Sequence, residues 1–113
     1  MTIQTFGTAA TPPIEFGTDP SAVRAHLPEV AAVAEEHIAA LARICPTDSS
    51  HADRAEHGRD WWPLAMRWAL AGETPQLPGA VCRPRDTAEV SAVLAYCNDN
   101  RIAVTASGGR SGV

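Results

Sequence analysis

The sequence contains no lysine, few aromatic residues and no long apolar run, and each shortage excludes a class of protein. Its nine cations are all arginines, set against thirteen carboxylates for a formal charge of −4. A general nucleic-acid binder needs a basic face to release phosphate counterions, and a polybasic membrane anchor needs clustered cations; this balance supplies neither. No apolar run approaches the roughly 20 residues that cross a bilayer. The opening MTIQTFGTAATPPIEFG lacks the charged start and apolar stretch of a secretory signal. Cysteine is scarce too: Cys45, Cys82 and Cys97 are odd in number and lack CxxC spacing, so they read as reduced thiols of a cytoplasmic protein.

What is present is a chain of 113 residues, 45% hydrophobic, with much of that share alanine and only 5% aromatic. This is one small domain, or part of a larger one, with a thin core. The fold class expected is α+β, in three zones: 1–20 extended or disordered, 21–77 helical, and 78–113 a strand–helix–strand unit. Thr11-Pro12-Pro13 and Gly17-Thr18-Asp19-Pro20 are turn-like clusters, with Ile14 and Phe16 free to dock elsewhere.

A first helical turn is predicted at Asp19 or Ser21. A longer helix follows, with Pro28 in its first turn and Val30, Ala34, His37/Ile38, Leu41 and Cys45 along one face before Pro46 ends it. His37, at the edge of that stripe, reads as a packed boundary histidine. The run His51-Ala52-Asp53-Arg54-Ala55-Glu56-His57-Gly58-Arg59-Asp60 reads as a solvated helical turn. Its two histidines have no third or fourth ligand at a recognisable spacing, so no metal centre is expected. Pro63 then opens a short helix to Ala71, stopped by Gly72. Trp61 and Trp68, seven apart, are expected to share a face, and three indoles within eight residues make a large anchoring surface.

From residue 79 the pattern sharpens. Ala80-Val81-Cys82 reads as a buried strand between Pro78-Gly79 and Arg83-Pro84. Asp86 and Glu89 form a capping box, and Val90, Val93, Leu94 and Cys97 repeat at helical spacing up to the stop Asn98-Asp99-Asn100. Arg101 to Thr105 reads as a second strand, parallel to the first with a right-handed crossover. Then come Ala106-Ser107-Gly108-Gly109-Arg110-Ser111-Gly112, small residues that let a ligand approach the backbone and whose consecutive amides can cradle an anion.

The stretch Pro78–Val113 (Pro-Gly-Ala-Val-Cys-Arg-Pro, Thr-Ala-Glu-Val-Ser-Ala-Val-Leu, Ile-Ala-Val-Thr and Gly-Gly-Arg-Ser-Gly-Val) resembles the FAD-linked oxidase family, of vanillyl-alcohol-oxidase or PCMH type, over about a third of the chain. The resemblance implies the first βαβ unit of a PCMH-type FAD-binding domain. It implies FAD as cofactor, and Ser107, Gly108, Gly109, Arg110, Ser111 and Gly112 as contacts of its pyrophosphate, with the Arg83-Pro84 end of the strand near the flavin nucleotide. It also implies that the chain is the N-terminal portion of an FAD-dependent oxidoreductase acting on a small-molecule substrate, a 2-hydroxy acid or other alcohol. The chain holds no evident catalytic base or group to face the flavin N5, so by itself it is expected to be inactive.

Two alternatives stand beside this. The Asp53–Asp60 run loosely resembles the pre-domain segment of alkyl-dihydroxyacetone-phosphate synthase-like and D-lactate dehydrogenase-like members, and the first of these would make the parent an FAD-containing transferase. A non-enzymatic helical partner-binding protein would use the tryptophans as its contact surface, and that surface also favours self-association.

Overall fold

The computed structural model describes residues 15–28 and 32–111. Ile14 and Gly112, which the sequence assigns to docking and to pyrophosphate contact, lie outside the described residues. Eight elements follow in chain order: β1 (Arg24–Ala25), α1 (Glu35–Ala42), β2 (Thr47–Asp48), α2 (His51–Glu56), α3 (Pro63–Leu70), β3 (Glu73–Thr74), β4 (Val81–Cys82) and α4 (Thr87–Asp99). A 3-10 turn at Pro20–Ala22 precedes them, where Asp19 was expected to start one, and the Asp19 carboxylate accepts from the Ser21 amide. Among the described residues the architecture is a small α+β domain of four helices and two two-stranded sheets.

Local signals place the last two helices well. Pro63 occupies the first turn of α3, where a missing N–H costs nothing. Gly72, at φ 77°, turns the chain just beyond its end. In α4 the Asp86 carboxylate accepts from the Glu89 amide at 2.8 Å. The Glu89 side chain reaches back one residue further than a standard capping box, to the Arg85 amide at 2.8 Å and the Arg85 guanidinium.

Four expectations are corrected. The first long helix does not run from Pro28: α1 begins at Glu35, with Ala34 extended at its N-cap. Residues 32–34 are not helical, and the N-cap Ala34 has no side chain to accept from the first amides of the helix. Second, β4 is half-buried rather than buried, and it pairs antiparallel with β2, Thr47 opposite Cys82 and Asp48 opposite Val81.

Third, residues 101–105 form no strand, so the expected βαβ unit is absent. Arg101 and Ile102 are consumed in ending α4. The Arg101 amide donates to Asn98 O and the Ile102 amide to Cys97 O at 2.8 Å, while Arg101 sits at φ 56°. That is a Schellman turn with arginine at the position glycine favours. The apolar contact that accompanies such turns is present as Ile102 against the Cys97 cluster. Val104 beyond it is half exposed.

Fourth, Trp61 and Trp68 do not share a helix face, because α3 starts at Pro63 and leaves Trp61 in the preceding loop. Trp62 meets Trp68 edge-on instead, with ring centroids 5.9 Å apart, and Trp68 stacks on His26 at 4.0 Å.

The core is thin, as the alanine-rich composition implies. Leu41, Cys45, Val93 and Cys97 form its main cluster, joined at the edge by Ile44, Cys82, Tyr96 and Ile102. His37 packs at this boundary, its Nδ1 2.8 Å from the Tyr96 hydroxyl. Elsewhere burial falls on Ala55, Ala65 and Ala69, and the largest fully buried side chains are only Val23 and Thr74. A parallel ladder, Arg24 opposite Glu73 and Ala25 opposite Thr74, joins the N-terminal segment to the exit of α3. A radius of gyration of 15.4 Å exceeds the roughly 13 Å of a compact chain this long. Several apolar side chains stay outside, among them Leu94 on α4 and Leu70 on α3, the latter 73% exposed. Among the described residues no helix is long and apolar enough to cross a membrane.

Candidate functional site: a glycine loop tethered to helix α2

The run from His51 to Arg59 is helical in part, but it is a hub rather than a solvated turn. Ser50 caps α2 by accepting from the Asp53 amide, and Ala55 is fully buried under it. Almost every polar side chain of the helix reaches a different segment. His51 Nε2 lies 2.6 Å from Val23 O, and Arg54 Nε donates to Pro78 O at 2.6 Å. Asp53 takes two bonds from Arg83, and Glu56 takes one each from Arg59 and Arg110. His57 turns back onto its own helix, with Nδ1 2.9 Å from Asp53 O. Both histidines that raised the question of a metal are thus spent on main-chain carbonyls. Among the described residues no three His, Cys, Asp or Glu side chains are placed to hold a metal ion.

The loop assigned to pyrophosphate contact divides into an open part and a tethered part. Ser107, Gly108 and Gly109 are exposed, and nothing lies within 4 Å of where a Cβ would stand on either glycine. Among the described residues the amides of Ser107, Gly108 and Gly109 meet no hydrogen-bond acceptor. Arg110 is the tether. Its Nη1 donates to Glu56 O at 2.6 Å and Glu56 Oε1 at 2.9 Å, and its own carbonyl accepts from the Trp61 amide at 2.8 Å. Arg110 holds φ 56°, a left-handed conformation that costs an L-residue about 1 kcal/mol. Charge-assisted bonds of the Glu56 type are worth about 1.5 kcal/mol or more, enough to offset that cost. Ser111 is exposed beyond the tether.

Two guanidinium groups share the Glu56 carboxylate of the tether. Arg59, 5% exposed, pairs through Nη2 with Glu56 Oε2 at 2.7 Å, and its guanidinium carbon lies 4.0 Å from the Phe16 ring centroid. Burial pulls the Arg59 pKa below its ordinary value; the Glu56 pair opposes this and the nearby Arg110 charge adds to it. Nothing local in the sequence marks Glu56 for this role, since 54 residues separate it from Arg110.

Arg83, expected near a flavin nucleotide, is engaged with Asp53 by both terminal nitrogens. The Arg83 hydrogen bonds hold the Asp53 carboxyl below the ordinary carboxylate range, against burial that raises it. The geometry therefore brings Arg110 of the loop to α2, with Arg83 bonded to another residue of that helix. No protein-family model matches the chain, and neither a curated protein nor a solved structure matches it.

Proposed function

We propose that Ser107–Gly112 is the diphosphate-holding loop of an FAD site, and that the chain serves an FAD-dependent oxidoreductase of the PCMH type. The observation that carries this reading is the set of exposed amides at Ser107, Gly108 and Gly109 that meet no protein acceptor among the described residues, next in sequence to Arg110, which Glu56 holds. Consecutive main-chain N–H groups that no protein acceptor occupies can receive phosphate oxygens, and glycine leaves the approach open. A bound flavin would supply the hydride acceptor, with the oxidised compound a 2-hydroxy acid or other alcohol. The protein's part is to hold the diphosphate.

Titration of the 15N-labelled chain with ADP tests this, with AMP as the comparison. Saturable shifts at Ser107, Gly108, Gly109 and Arg110, stronger with ADP and half-complete on the order of 1 mM, are expected. Shifts scattered over all arginines, or none in the loop, overturn the reading.

A second reading has its own observation. Trp62, 42% exposed, and Leu64 and Leu70 are uncovered apolar groups on or beside α3, which suits a partner-binding surface. In that case tryptophan emission responds to a protein partner and is indifferent to ADP.

A further inference from the structure

We infer that Glu56 is the positioning residue of the glycine loop, acting through Arg110 to fix the direction in which the Ser107–Gly109 amides point. Its consequence for ligand binding rests on the diphosphate reading above; its consequence for loop order does not.

Three contacts converge on one residue of the loop. The Arg110 guanidinium donates both to the main-chain carbonyl and to the side chain of Glu56, and the Arg110 carbonyl accepts from the Trp61 amide. Side chain and main chain of Arg110 are thereby held by two points of one segment, the end of α2 and the loop that follows it. The residue so held has left-handed backbone, and a backbone placed there sets the course of the residues on either side. The exposed glycines have no neighbours within reach of a Cβ, so packing does not order them. Order must come from the tether. Glu56 can serve because its own carboxylate is fixed from the far side by Arg59, which is buried and packed on Phe16. The chain of support runs Phe16, Arg59, Glu56, Arg110, loop, and Glu56 is the link that both arginines share. A carboxylate beside an anion site is otherwise unfavourable, and this one is neutralised by two cations.

The test uses the whole chain and the variants Glu56→Gln and Arg110→Ala. Glu56→Gln keeps the main-chain acceptor and removes the charge. Arg110→Ala removes both the main-chain and the side-chain bond from the loop side and leaves the Glu56–Arg59 pair intact, so it answers the question if the first variant does not fold. Three readouts are taken: exchange of the Trp61 amide, 15N order parameters of Gly108 and Gly109, and ADP affinity. In either variant Trp61 exchange should quicken about tenfold and the glycine order parameters fall from about 0.8 to below about 0.6. ADP should bind about tenfold more weakly, while exchange at Val93 and Cys97 stays as in the parent. Unchanged Trp61 exchange and glycine order in both single variants overturn the inference. If the variants loosen the loop and the parent chain itself ignores ADP, Glu56 orders the loop and it is the diphosphate reading that fails.

Discussion

Arg83, one residue beyond β4, grips Asp53 of α2 with both terminal nitrogens, at 2.8 and 2.7 Å, across thirty positions of sequence. This fork ties the C-terminal third of the chain to the helix that also holds the glycine loop. It explains why an arginine expected beside a nucleotide is turned toward protein instead.

The pair predicts a specific pH dependence. Hydrogen bonding from Arg83 lowers the Asp53 pKa in the folded chain, burial opposing it. A lowered folded-state value contributes stability that is complete above the unfolded carboxylate value of about 3.9 and is lost as pH falls through the folded one. Asp53→Asn should therefore lower stability by about 1 kcal/mol at pH 7, a modest figure because the Arg83 side chain is half in solvent. Urea titrations at several pH values should show the gap between parent and variant closing below about pH 4. A gap that is constant down to strong acid would contradict the assignment.

The Schellman turn after α4 predicts a stabilising change. Arg101 occupies a left-handed position at φ 56° that glycine takes without steric cost. Arg101→Gly removes that strain, partly offset by the greater freedom of glycine in the unfolded chain, for a net gain of about 0.5 kcal/mol. Thermal melting of the two chains decides it: a lower midpoint for the glycine variant would show that the arginine side chain matters more than its backbone.

These cases show which parts of the molecule could be read from sequence. Helices α3 and α4 have local start and stop signals, Pro63 with Gly72 and Asp86 with Asn98-Asp99-Asn100, and the structure starts and ends them within two residues of those marks. The segment 101–105 has the composition of a strand, but a strand needs a partner ladder, and Arg101 and Ile102 had a nearer use in closing α4. β2 is two residues long and stands out by no alternation of its own. Within the candidate site, the exposed course of Ser107–Gly109 was legible from its small residues. Its tether was not, because the Glu56–Arg110 contact joins residues 54 apart and no periodicity reports such a pairing.

The three thiols give a third prediction. Cys45 and Cys97 are buried in the main core cluster, and Cys82 packs on its edge. Burial raises the thiol pKa of both Cys82 and Cys97, with the Thr47 hydroxyl opposing it at Cys82. A raised thiol pKa leaves less thiolate at a given pH, and thiolate is the reacting form. With an aromatic disulfide reagent at pH 8, the folded chain should react slowly and in order, half-buried Cys82 first, while all three thiols react at once in urea. Rapid reaction of Cys97 in the folded chain would show that the cluster opens readily.

The glycines offer the sharpest contrast between structural and functional need. A Cβ on Gly58 would stand 1.9 Å from Gln76 O, a main-chain atom that can yield only if the loop between β3 and β4 moves. A Cβ on Gly108 would meet nothing within 4 Å. Gly58→Ala should therefore cost at least about 2 kcal/mol, in the range of overpacking against fixed backbone. Gly108→Ala should leave the melting midpoint nearly unchanged. If the loop holds a diphosphate, the second variant should nonetheless weaken ADP binding, because the added methyl intrudes on the side from which phosphate oxygens reach the amides. Melting curves and ADP titrations on the two variants separate the effects: stability lost at Gly58, ligand affinity lost at Gly108. If Gly108→Ala is silent in both measurements, the openness of the loop has no bearing on binding, and the amides of Ser107–Gly109 are not where the anion sits.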